Sequence, residues 1–222
     1  HRDLHSFPTR RSSDLPKTAK PPLEPKVYVT FLTNEGDTPK ALVSEYRCAW
    51  RDAARGSVPI TWLMNPLLLE RFPALWEYYL TQLKGDDIFT VACSGAGYAI
   101  LSSLPHPALY EAHTKTYMEK TGLEYVDVWT DGYDPDGWKR FQEGCDAKGL
   151  SVQSWMPDEL QAFPDGTVLT GTAPGLIYWR VPEGHDPAEW LAEQLRDRAS
   201  KRGRPAFIQV YCGTSATVFR KT

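Results

Sequence analysis

From residue 27 onward, short apolar runs rich in β-branched residues alternate with longer stretches of helical period. The runs are VYVTFLT (27–33), VPITWLM (58–64), IFTVACS (88–94), LEYVDVWT (123–130), LSVQSWM (150–156), LIYWRV (176–181) and AFIQVYC (206–212). Each has strand length and ends in polar or glycine residues, so the pattern predicts seven strands, each followed by an amphipathic segment. Helix starts share one device. Thr38-Pro39, Asn65-Pro66, Asp134-Pro135 and Asp186-Pro187 put a capping side chain before a proline at the first helical position, where its missing N–H costs nothing. His106-Pro107 is a variant without a capping oxygen. Apolar faces follow: Leu42, Tyr46, Ala49, Trp50 and Ala53 in the first helix, Trp138, Phe141 and Cys145 in a later one, Trp190, Leu191 and Leu195 in the last. Gly56, Gly122, Gly149 and Gly203 are expected to close several of these helices.

Strand followed by helix, repeated at about 30 residues, implies parallel strands joined by right-handed crossovers. The fold class is therefore α/β. Without a glycine-rich dinucleotide turn, the expected architecture is a parallel β/α barrel of seven strands spanning 27–222. The chain stops directly after the last strand with no closing helix, so the barrel is expected to be truncated there, leaving an exposed edge.

Composition narrows this picture. Residues 1–15 (HRDLHSFPTRRSSDL) read as a translated sequencing adapter and are set aside; the true N-terminus, with any leader, is then expected to be lost. Residues 16–26 (PKTAKPPLEPK) read as a linker. Without the adapter's three Arg and two Asp, 22 basic and 26 acidic residues remain, a net charge of −4. That balance offers no field for a nucleic acid or an anionic membrane, and no apolar run has the ~18 residues a membrane helix needs. Cys48, Cys93, Cys145 and Cys212 are too scattered for zinc-ligand spacing and read as buried thiols. No metal or other cofactor is predicted.

Chemistry is expected where strands end. After the first strand comes Thr33-Asn34-Glu35-Gly36-Asp37-Thr38. In an extended segment Glu35 and Asp37 point to one side with Cα atoms about 6.6 Å apart. Two carboxylates that close separate their pKa values, which supplies one acid and one base. The alternative is that Asp37 merely precedes the cap while Glu35 is solvated. Asn65 ends the second strand, as substrate contact or as a cap. The third ends in Ser94-Gly95-Ala96-Gly97-Tyr98, which fits neither G-x-G-x-x-G nor G-x-S-x-G; its glycines bring backbone close to a ligand and project Tyr98. The fourth ends in Trp129-Thr130-Asp131-Gly132-Tyr133, with Asp131 as a supporting acid or a turn residue. Of Trp62, Trp129, Trp155 and Trp179, most fill the interior, and one at the rim offers a flat face to a sugar ring. His106 and His113 read as cap and helix-face residues.

VYVTFLTNEGD, PITWLMNP, FTVACSGAGYAI and YMEKTGL, in that order, resemble the GxGYxYP family, to which glycoside hydrolysis is ascribed; a looser likeness runs on through RPAFIQVY. The resemblance implies a seven-stranded β/α barrel after a separate N-terminal domain, polysaccharide breakdown, and an acidic site in the cleft between the domains. That site combines an Asp-x-Asp pair from the barrel with a Glu from elsewhere. Asp37 matches the pair directly and Glu35 matches it with one extra methylene. The name motif here reads Gly95-Ala96-Gly97-Tyr98-Ala99-Ile100-Leu101, so its second tyrosine and its proline are replaced.

Together these give a carbohydrate-hydrolysing domain with Glu35, Asp37 and Asp131 as acids and Asn34, Asn65, Ser94, Gly95, Gly97, Tyr98 and Trp129 around the substrate. Its partners are a carbohydrate and the missing N-terminal domain. The alternatives are a noncatalytic sugar-binding domain on the same scaffold, and a metal-dependent carbohydrate deacetylase, for which His106 and His113 lack H-x-x-x-H spacing. The compartment stays open, with the resemblance pointing to a bacterial secreted or periplasmic protein.

Overall fold

The computed structural model describes residues 22, 24–33, 39–129, 131–152, 160–162, 168–171 and 181–212, the side chains at 45, 160–162 and 168–171 excepted. Strand β1 (Val27–Leu32) leads to short helices α1 (Lys40–Val43) and α2 (Glu45–Trp50), then β2 (Ile60–Met64), α3 (Leu68–Arg71) and α4 (Pro73–Thr81). β3 (Ile88–Val91), α5 (Pro107–Thr121), β4 (Tyr125–Val128), α6 (Pro135–Cys145) and β5 (Gly149–Val152) continue the alternation. The short strands β6 (Leu160–Ala162) and β7 (Val168–Gly171), helix α7 (Pro187–Ser200) and β8 (Ala206–Tyr211) complete it.

The strand order is β6-β7-β5-β4-β3-β2-β1-β8. Every neighbouring pair is parallel except β6 with β7. A parallel α/β sheet is thus as the sequence predicts. It curls: Gln209 on β8 donates to Ser151 on β5 at 2.5 Å, although four strands lie between them in the sheet order. Six strands surround one space, lined among others by Thr30, Thr61, Thr90, Val126, Ser151 and Gln209. The described sheet is a half-barrel, with no pairing between its two edges among the described residues.

Each strand has two unlike faces. Trp62, Met64, Phe89, Val91, Val126, Val128, Leu150 and Val152 share one core with helix residues Leu42, Tyr46, Trp50, Trp76, Tyr79, Trp138 and Phe141. The alternate residues Leu32, Leu63, Ala92 and Tyr211 make a separate, smaller cluster inside the curl.

Several local expectations change. The sixth predicted strand, 176–181, lies outside the described residues except for Val181, and the antiparallel β6–β7 pair stands where the sequence suggests none. The first helix is broken at Ser44 (φ −116°, ψ −92°), whose hydroxyl donates to the Lys40 carbonyl at 2.8 Å; Ala53 falls in the following turn and is exposed. Gly149 does not close a helix. Asp146 does so at φ +59°, and Gly149 opens β5. Asp134 and Asp186 do cap, accepting from Gly137 and from Ala188 and Glu189 respectively. Gly122 closes α5 at φ +72°. Cys93, Cys145 and Cys212 are buried free thiols, whereas Cys48 is exposed; burial pushes Cys145 and Cys212 up to about 12.

The N-terminal ends of β2 and β3 are fixed by a buried carboxylate. Asp87 accepts from the Ile60 N–H at 2.9 Å, from Trp62 Nε1 at 3.0 Å and from Arg55 at 3.5 Å. Arg55 also donates to the Gln82 carbonyl at 2.7 Å and lies 3.9 Å over the Trp50 ring. Burial raises the Asp87 pKa, and its donors pull it back. Removing one partner of such a pair strands the other charge in the interior. Asp87→Ala is therefore expected to lower the unfolding free energy by about 3–5 kcal/mol, read by urea denaturation; a loss under ~1 kcal/mol would refute the anchoring role.

Candidate active site at the C-terminal ends of the strands

In a parallel sheet with helical crossovers the strand C-termini open onto loops, and there the carbonyl ends and loop side chains converge. Asn34, Glu35 and Asp37 lie outside the described residues, as does residue 130. Thr33, just before them, is held firmly. Its N–H donates to the Thr61 carbonyl at 3.0 Å, and its hydroxyl accepts from the Leu63 N–H at 3.1 Å. It is also hydrogen-bonded to the Tyr46 hydroxyl, which donates to the Leu63 carbonyl at 2.9 Å. The segment carrying the predicted acids thus leaves from a buried, fully bonded threonine.

At the end of β2, Asn65 is buried and its side-chain oxygen accepts from the Leu67 N–H at 3.0 Å. That is a capping bond, although α3 begins three residues further on, at Leu68. At the end of β3, Ser94 is completely buried at φ +71°. Its hydroxyl accepts from the Trp129 N–H at 2.9 Å and lies 3.3 Å from the Trp129 carbonyl. Ser94 is accordingly a clasp between two strand ends. It presents no surface to a ligand.

The two glycines have distinct steric reasons. Gly95 sits at φ +110°, and a Cβ there would stand 2.5 Å from Thr114 Oγ1 and 3.2 Å from the Phe141 ring. The same Thr114 hydroxyl accepts from the Ala96 N–H at 3.1 Å. Gly97, at φ +139°, passes over Tyr110 with its notional Cβ 3.4 Å from the hydroxyl. The loop is therefore pinned to α5 and α6, and it delivers Tyr98 to the rim.

Tyr98 is 55% exposed and Trp129 36%. Their ring centroids are 6.4 Å apart with planes tilted by 41°. Of the predicted site residues, these two exposed rings are the pair that the structure brings together at the rim. Asp131 is exposed beside it and accepts from the Ser102 hydroxyl at 2.7 Å. His106 is the N-cap residue of α5 without a side-chain bond, and His113 packs edge-on against Tyr117 at 4.9 Å.

One carboxylate escaped the sequence reading. Asp127, in the middle of β4, is fully buried. Alternation aims it into the curl rather than at the helices, since Val126 and Val128 on either side belong to the helix-facing core. Its charge adds to the burial that raises the Tyr211 phenol well above its ordinary range. The signal was present as a lone acid inside YVDV. Among the described residues no group of three or more His, Cys, Asp or Glu is placed to hold a metal ion, and no helix is long and apolar enough to cross a membrane.

Residues 25–216 match a family model described as "GxGYxYP putative glycoside hydrolase C-terminal domain". Among solved structures, the fold is similar to a putative hydrolase from Bacteroides thetaiotaomicron VPI-5482, with a TM-score of 0.72 and 18% identity. That match covers 92% of this chain and 41% of the other, so the chain spans less than half of that protein. A putative polysaccharide deacetylase from Mycobacterium smegmatis matches with a TM-score of 0.59 and 11% identity, over 91% of this chain and 84% of the other. At these identities the structural likenesses describe the fold. No curated protein matches the chain.

The geometry of the β3 loop makes a stability prediction. Gly95→Ala combines an unfavourable φ with a clash against Thr114, and should cost about 2 kcal/mol or more. In urea unfolding, Thr114→Ala in that background should recover part of the loss by removing the hydroxyl that the added methyl meets at 2.5 Å, offset in part by loss of that hydroxyl's bond to the Ala96 N–H. Full wild-type stability of the single variant would contradict the packing described.

Proposed function

The chain belongs to the GxGYxYP C-terminal domain family, and we propose that it hydrolyses glycosidic bonds of a polysaccharide or oligosaccharide at the C-terminal mouth of its sheet. The observation that carries this reading is the exposed Tyr98–Trp129 pair at that mouth. Two rings held open to solvent beside strand ends offer apolar faces for the C–H side of a sugar, while neighbouring polar groups take its hydroxyls.

In this proposal Glu35 and Asp37, following the anchored Thr33, form the carboxylate pair. One protonates the leaving oxygen while the other activates water or attacks the anomeric carbon. A separation near ~5.5 Å leads to retention and ~6.5–9.5 Å to inversion. Asp131 at the same rim supports the pair, and a further acidic group comes from outside this chain, across a cleft with a second domain. Completion of the half-barrel to seven strands belongs to the same reading.

Two measurements test it, both on reducing-end release from a panel of neutral polysaccharides. Asp37→Asn and Glu35→Gln should each lower kcat by about 10²–10⁴-fold, the range for loss of a general acid or base, with KM little changed. Trp129→Ala should instead raise KM by about tenfold, or ~1.4 kcal/mol of binding, with kcat largely kept. Unchanged turnover in both carboxylate variants would overturn the assignment. Calorimetric binding of the polysaccharides by the unmodified chain, with no released ends, would replace hydrolysis by a binding role.

A further inference from the structure

We propose that the opposite, N-terminal end of the half-barrel is a second ligand site, taking an uncharged polyol such as a single sugar ring. The inference rests on the interior of the sheet and not on the chemistry at the mouth. A cavity of about 230 Å³ lies inside the curl. Most of its surface is apolar, from Leu32, Ile88 and Tyr125 among others, and Thr30, Thr61, Thr90, Ser151 and Gln209 supply its polar part. Leu32 also joins Leu63, Ala92 and Tyr211 in the buried cluster that stands between this space and the mouth.

Two features mark the space as a site. The first is its size, because barrels of this class ordinarily fill their interiors with layers of bulky side chains. Here threonines, a serine and a glycine take many of the positions that should hold such a layer, leaving room for roughly seven or eight waters at about 30 Å³ each. The second is its chemistry. No lysine, arginine, aspartate or glutamate lines it, so nothing in the wall selects for an ion. Thr90 donates to the Tyr125 carbonyl at 2.8 Å, and Ser151 accepts from Gln209, so these groups are held in fixed positions. Thr30 is exposed and Thr61 half-buried within the cavity wall, and neither hydroxyl makes a hydrogen bond among the described residues, so both are available to a ligand.

The rim completes the match. Tyr28 and Phe207, two residues before Thr30 and Gln209 and hence on the same faces of β1 and β8, stack at 5.3 Å. Across the opening, Ile88 and Tyr125 are exposed and line the cavity. Apolar rings at the entrance with neutral hydroxyl and amide groups within suit a molecule having C–H faces and several hydroxyls. A ligand of that kind would replace the water and regain its hydrogen bonds from the walls.

The test is a ¹H–¹⁵N NMR titration of the chain with glucose, xylitol and myo-inositol in parallel. At least one should produce saturable shifts at the amides of residues 30, 61, 90, 151 and 209, and Thr61→Leu, which fills the cavity and removes a hydroxyl, should weaken that binding at least tenfold. Thr61→Val, nearly the same shape without the hydroxyl, guards against a folding artefact and should weaken it several-fold with an otherwise unchanged spectrum. Shifts confined to residues 94–98 and 129 would overturn the proposal while leaving the mouth reading intact. Absence of saturable shifts with all three probes, or binding indifferent to Thr61→Leu, would also overturn it.

Discussion

The contact between Gln209 and Ser151 sets the shape on which everything else depends. From β8 to β5 the sheet takes five strand-to-strand steps, about 24 Å if it were flat, given a spacing of about 4.8 Å. A glutamine and a serine side chain span nothing like that distance. The sheet must therefore turn through a large arc, and the same arc draws the C-terminal ends of β1, β2, β3 and β4 around one opening. Small interior residues permit the curl: Thr30, Thr61, Thr90 and Ser151 occupy the inside, where larger side chains would force the strands apart. The mouth and the inner cavity are thus two consequences of one bend.

The two faces of the sheet divide the work. The helix-facing side carries the large apolar mass, with Trp50, Trp62, Trp76 and Trp138 fully buried, and its buried charge is tied down by Arg55, Trp62 and the Ile60 N–H around Asp87. That cluster sits at the N-terminal ends of β2 and β3, far along the strands from the Ser94 clasp. The buried ion pair at the N-terminal ends therefore serves stability, while the proposed catalytic chemistry belongs to the loops at the other end. Such segregation is expected where parallel strands share a direction, because only one end has loops free to vary without unseating the core.

Much of this was legible in the chain, and the failures share a cause. Runs of β-branched residues and Asp-Pro starts report local physics, so β1 to β5, β8 and the caps at Asp134 and Asp186 could be read directly. Gly149 was misread because a glycine after a helix usually closes it; here Asp146 took the left-handed turn, and Gly149 opens β5 and lines the inside of the curl. Ser94 looked like a ligand contact, since nothing local tells that its hydroxyl will meet the Trp129 backbone 35 residues away. Asp127 was passed over for the same reason. Its strand reads as apolar until one knows that the alternate face lines an interior and not solvent. Local pattern announces elements, whereas the partner of a side chain across the sheet is set by curvature that no short window contains.

The aromatic pair at the mouth illustrates how that curvature positions side chains from separate strand ends. Tyr98 belongs to the loop after β3 and Trp129 to the end of β4, and their mutual position depends on a chain of short contacts. Thr114 holds the Ala96 N–H, the left-handed Gly95 fits only because it lacks a Cβ, and the buried Ser94 hydroxyl binds the Trp129 backbone. Each link is buried or sterically unique, so the backbone that carries both rings, whose centroids lie 6.4 Å apart, is held in place. In the proposed function, rings carried on a backbone fixed in advance would lose little conformational entropy on meeting a sugar. The glycines of the G-x-G segment therefore act at one remove: they let the backbone lie against α5 and α6, and that seating aims the tyrosine.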